Sequence, residues 1–167
     1  MEQYSRRNCQ RISPVPEAST ESTDDIVKTV AKTAGVTLPD NAVDRSHRVG
    51  KVSASRQTRD LSILVKFTSY KYKEAMMKAR CGLNKMDATK IFPDSQWPAL
   101  PARSTARIHR LYINEDLTKT RAEVAVRARQ LDKLDNRWTR NGYIFVKKGV
   151  CTQSLCWKSV FLINVCD

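Results

Sequence analysis

LSILVKFTSYKYKEAMMKARCGL, residues 61–83, is the stretch on which the fold turns. Ile63, Val65 and Phe67 alternate with Ser62, Leu64 and Lys66, the period of two that a strand with one buried face requires. Further along, the period changes. Tyr72, Ala75, Met76, Ala79 and Leu83 gather on one side of a helix, with Lys71, Lys78 and Lys85 towards the other, so the strand feeds a helix laid on a sheet. Upstream, Cys9–Ser13 reads as a strand stopped by Pro14 and Pro16. Ser22 stands three residues before Asp25 in the manner of a capping box. Ile26, Val27, Val30, Ala31 and Ala34 then recur at helical spacing until Gly35 stops the run. Val43–Val49 is a second, polar strand bearing Arg45, His47 and Arg48, followed by a flexible basic loop over 50–59. The order βαββα, with a further strand to come, predicts an α+β domain over 8–90. It is of the ferredoxin-like, split-βαβ type that RNA-recognition motifs use.

Beyond residue 90 the pattern fails. Pro93, Pro98 and Pro101 mark 91–105 as a linker. A small α/β domain is expected over 106–148. Residues 108–114 are strand-like, Asp116 or Thr118 is placed to cap a helix, and Val124, Ala128, Leu131 and Leu134 give that helix an apolar stripe to about residue 134. Residues 137–139 and 143–147 then flank Arg140-Asn141-Gly142, and Asn-Gly is a strong signal for a tight hairpin. Residues 149–167 are apolar and cysteine-rich without a period, and stay unassigned between an added strand and a tail.

Charge narrows the function. Thirty Lys plus Arg against seventeen Asp plus Glu give the 167-residue chain a formal net charge of +13 and a pI near 9.8. Such an excess repels itself unless a polyanion neutralises it, so nucleic acid is the first partner to consider. A composition 41% hydrophobic supports a packed core. No run approaches the length needed to span a bilayer, and residues 1–12 lack an apolar signal core, so no membrane partner is expected and an intracellular location is, cytoplasmic ribonucleoprotein or nucleus. Five scattered cysteines argue for reduced thiols, and Cys151 and Cys156 have no matching pair at zinc-ligand spacing.

Five phrases in order carry a family likeness: YSRRNCQRISPVPE (4–17), VDRSHRVGK (43–51), ILVKFTSYKYKEAMMKAR (63–80), YINEDLTKTRAEVAVRAR (112–129) and RWTRNGYIFVK (137–147). Together they resemble the first-open-reading-frame protein of LINE-type retrotransposons and its relative, the baculovirus FP protein. In that family a trimerising coiled coil precedes an RNA-recognition-motif domain and a small C-terminal domain, and the protein coats RNA and acts as a chaperone. The resemblance implies the second and third parts here. Only three residues precede Tyr4, so any self-association is expected without the coiled coil. Pro14 in place of the family's usual Gly, a longer linker and an unfamiliar tail depart from the pattern.

The partner implied is RNA or single-stranded DNA, held by its phosphates. The resemblance carries over Arg6, Arg7, Arg11, Arg45, Arg48 and Lys66 as contacts. Arg80, after the second helix, and Arg121, Arg127 and Arg129, on the C-terminal helix, join them, since a guanidinium fork can pair two phosphate oxygens or stack on a base. ILVKF matches only the end of the aromatic pattern of sequence-reading RNA-recognition motifs, so Phe67 reads as core and selectivity as weak. Tyr112, Trp138 and Tyr143 read as buried anchors, with base stacking as the other use. No catalysis and no cofactor are expected. His47 and His109 lack partners for a triad or metal site, Glu115 and Asp116 suit a helix start, and five glycines provide no phosphate-cradling loop. Two other readings stand beside this one: a protein-interaction or assembly module of the FP type, and a decayed fragment.

Overall fold

Strand β3, Ser62–Phe67, is an inner strand of a four-stranded sheet in the computed structural model, which describes residues 2–16, 21–49, 62–83, 88–92, 110–130, 134–148 and 160–163. On one side β3 pairs antiparallel with β1 (Cys9–Ser13), Gln10 opposite Val65 and Ile12 opposite Ile63. On the other it pairs antiparallel with β2 (Val43–Val49), Ser46 opposite Val65 and Arg48 opposite Ile63. The fourth strand, β4 (Tyr112–Glu115), lies beside β1, giving the order β2-β3-β1-β4.

Helix α2, Thr23–Thr33, forms where the cap predicts: the Asp25 N–H donates to Ser22 Oγ at 3.3 Å, and Asp24 and Asp25 place negative charge at the positive helix end. Its far end closes as a Schellman turn. Gly35 takes φ +79°, its N–H bonds Lys32 O, and the Val36 N–H bonds Ala31 O at 2.8 Å. Helix α3, Tyr70–Leu83, follows β3 as expected. Val27, Val30 and Ala31 of α2 and Met76 and Leu83 of α3 bury themselves with Ile12, Ile63, Val65, Phe67 and Ile113, so both helices cover the same sheet face. Gln10 shares that core. Its Nε2 donates to Lys73 O at 2.7 Å, and its Oε1 has no hydrogen-bond partner among the described residues.

The chain divides into two compact units, residues 8–114 and residues 1–7 with 115–167. The first unit includes Tyr112, Ile113 and Asn114, on the far side of the proline-rich segment. Of the strand expected over 108–114, residues 108 and 109 lie outside the described residues, and Tyr112 onward is extended into the sheet, running to Glu115.

In the second unit α4, Lys119–Gln130, packs Ala125 and Ala128 on Ile144 and Val146. The helix is described to Gln130, residues 131–133 lie outside the described residues, and the expected end at 134 is not reached. Leu134 instead opens β5 (Leu134–Arg140), which pairs with β6 (Tyr143–Lys148): Asn136 lies opposite Lys147, and an irregularity between Leu134 and Asn136 then sets Leu134 opposite Lys148. Asn141 at φ 55° and Gly142 at φ 80° make the two-residue turn of primed type that Asn-Gly signals. Val160–Ile163 adds a third strand, β7, to β6, which settles one part of the unassigned tail. The basic loop 50–59 and most of the linker lie outside the described residues.

A short helix, α1 (Glu2–Ser5), belongs to this second unit. Gln3 is buried there: its Nε2 donates to Asp116 O at 3.0 Å and its Oε1 accepts from the Thr118 N–H at 2.9 Å.

Candidate nucleic-acid interface

The first sheet has a second face, and alternation decides what stands on it. Ile12, Ile63 and Val65 point to the helices, so their neighbours Cys9, Arg11, Leu64 and Lys66 point away. The ladder sets Cys9, Lys66 and Arg45 in one row across three strands, and Arg11, Leu64 and His47 in the next. Directly opposite side chains in such rows start about 5 Å apart. Arg11, Arg45, His47 and Lys66 are exposed. On β4, Ile113 enters the core, so Tyr112 and Asn114 face the same way as these cations, Tyr112 with 41% of its surface exposed. Helices α2 and α3 both lie on the opposite face, while Cys9, in the row of Lys66 and Arg45, is buried.

One acid interrupts the positive field. Asp44 Oδ2 accepts from Lys66 Nζ at 2.8 Å across the bulge between Val43 and Arg45. The hydrogen bond from Lys66, and then its charge, hold the Asp44 carboxyl below the usual carboxylate range.

Arg11, Arg45 and Lys66 are therefore brought together, and the other expected contacts lie elsewhere. Arg48 has the opposite parity to Arg45 and turns towards the helix side. Its Nη1 donates to Val15 O and its Nη2 to Pro16 O, both at 2.6 Å, and Nε and Nη2 grip the Glu21 carboxylate. With 18% of its side chain exposed, it ties the segment after β1 to β2. Beside it, Ser46 Oγ bonds Thr23 and Asp24 at the start of α2. Arg80 lies within the last turn of α3 and not after it, half-buried, four residues from Met76 and three from Leu83, on the edge of the buried stripe.

In the second unit Arg127 and Arg129 are exposed in the last turn of α4, where positive charge suits the helix dipole. Arg121 Nη1 donates to Gly142 O at 3.0 Å, and its guanidinium lies 5.6 Å from the centre of the Tyr143 ring. Arg7 lies 6.0 Å over the Tyr4 ring. Arg6 pairs with Asp116 at 2.8 Å and Glu2 at 2.9 Å. Burial works against its charge, but Asp116 and Glu2 outweigh it and raise its pKa above the ordinary arginine value.

Glu115 and Asp116, expected as helix caps, do different work. The buried Glu115 carboxylate accepts from the Asn141 N–H at 2.8 Å and the Gly142 N–H at 3.0 Å, so it pins the hairpin turn. Asp116 receives Arg6. A pair 26 residues apart leaves no local signal in a sequence. Trp138 is also placed: its ring stacks on Phe145 with centroids 5.6 Å apart and 7° between planes.

Among the described residues no three metal-ligating side chains cluster, and no helix is long and apolar enough to cross a membrane. His109 lies outside them. Comparison with models of known protein families and with curated proteins finds no match to this chain.

Proposed function

We propose that this chain binds single-stranded nucleic acid, RNA or DNA, without breaking bonds in it, gripping phosphates on the open face of the first sheet. The observation that carries the reading is the gathering of Arg11, Arg45 and Lys66, from three different strands, into adjoining rows with Asp44 as the acid beside them. Cations at strand spacing suit a phosphate backbone laid across a sheet, and a neighbouring tyrosine offers a ring to an unpaired base. The sheet order fits the ferredoxin-like reading. Read from its other edge it is β4-β1-β3-β2, which a split βαβ with both helices on one face produces. The resemblance to LINE-type first-open-reading-frame proteins points the same way, towards a coating and chaperone role.

The test is fluorescence anisotropy of a labelled single-stranded RNA across a salt series, with the triple variant Arg11→Ala, Arg45→Ala, Lys66→Ala. The expected result is micromolar or tighter binding at low salt, with a salt slope that falls by about 2 in the variant, since each phosphate neutralised on a single strand adds roughly 0.7 to that slope. A folded protein that binds no RNA at low salt overturns the reading and leaves the interaction module or the decayed fragment.

A further inference from the structure

The sheet of the second unit also has a face turned away from α4, and its composition differs from that of the first. Ile144 and Val146 of β6 pack on α4, so the residues between and beside them face away: Tyr143, Phe145 and Lys147. The ladder sets Arg140 opposite Tyr143, Trp138 opposite Phe145 and Asn136 opposite Lys147, so these six residues share one face of the hairpin. Tyr143 keeps 42% of its surface exposed, Trp138 and Phe145 are half-exposed, and Arg140 is exposed. Three rings and two cations with no acid among the six make an unusual face: apolar area in the middle, positive charge at both ends.

We infer that this face is a stacking platform for unpaired bases, so that the second unit reads bases while the first grips backbone. The proposal rests on the nucleic-acid reading above and deepens it. The occupant follows from the charge. An apolar partner protein gains nothing from Arg140 and Lys147, whereas a single strand presents flat apolar bases and anionic phosphates together. The geometry suits it. Same-face residues along β6 are about 6.8 Å apart, twice the roughly 3.4 Å interval of stacked bases. The Trp138–Phe145 stack stiffens one side of that interval, and Arg121 over the Tyr143 ring supports the other. A duplex has no use for such a platform, because its bases are already stacked on one another.

The experiment compares, with the full chain, a labelled single-stranded 12-mer and an abasic 12-mer of the same sugar-phosphate charge. The base-bearing strand is expected to bind about tenfold tighter. Tyr143→Ser and Trp138→Leu should each narrow that gap while leaving abasic affinity unchanged, which also shows that the variants fold. In a Trp97→Phe, Trp157→Phe background, Trp138 fluorescence should be quenched by the base-bearing strand and not by the abasic one. Equal affinity for the two strands with Trp138 unquenched overturns the platform and leaves the backbone-gripping reading standing. Binding of neither strand at low salt overturns both.

Discussion

Arg45 and Arg48 lie three residues apart on one strand and meet different surroundings. Parity separates them, since Arg45 shares a face with His47 and Arg48 with Ser46, but parity alone does not say which face is buried. That depends on Glu21 and the carbonyls of Val15 and Pro16, remote in sequence, which is why the phrase VDRSHRV shows a strand and not the fate of its arginines. Arg48→Met removes the clamp and takes the guanidinium away from a half-buried carboxylate. It should cost about 1–3 kcal/mol in urea unfolding, discounted for partial exposure, without weakening RNA affinity of the folded protein. Asp44→Asn acts in the opposite sense: it frees Lys66 for phosphate and should tighten RNA binding by a few-fold at low salt, with the gain fading at high salt. The pair also links to pH. Because the folded Asp44 pKa is depressed, whatever stability the pair contributes is present above the ordinary carboxylate pKa and is lost as pH falls through the lowered one. Thermal melts from neutral pH down to about pH 3 should show that loss, and Asp44→Asn should remove its part of it.

Elements defined by local chemistry were legible. The Ser22 cap, the alternation of 62–67 and the Asn-Gly turn each place a boundary within a residue or two of where it stands, because each is fixed by neighbours in the chain. Elements fixed by distant partners were not. The period of Val124, Ala128, Leu131 and Leu134 reads as one helix, yet hairpin pairing claims Leu134 for a strand. Helix α1 is four residues long, too short to announce itself, and exists through Gln3 and its partners near residue 116. The turn carries a sharp prediction. A Cβ on Gly142 would run into Gln3 Cγ, and φ 80° strains any side chain, so Gly142→Ala should destabilise by about 1–3 kcal/mol. Glu115→Ala strands two turn amides and should cost a similar amount, about 1–3 kcal/mol, measured by the same unfolding curves.

For the molecule as a whole, charge was the most readable property and chain tracing the least. A net charge of +13 sets an expectation about partners without reference to the fold. No composition or period reveals that residues 1–7 belong with residues 115–167. Removing residues 2–7 should therefore act at the far end of the sequence. Hydrogen exchange at the Asn141 and Gly142 amides should accelerate at least about tenfold, while the amides of β3 keep their protection; equal acceleration in both places would argue against the assignment.

That discontinuity bears on synthesis. A ribosome delivers α1 well ahead of the partners of Gln3, which emerge only after more than a hundred further residues. The second unit is thus begun before the first and finished after it. During that interval the residues of α1 have no packing surface, and a defect in them would burden the part of the second unit that is made last.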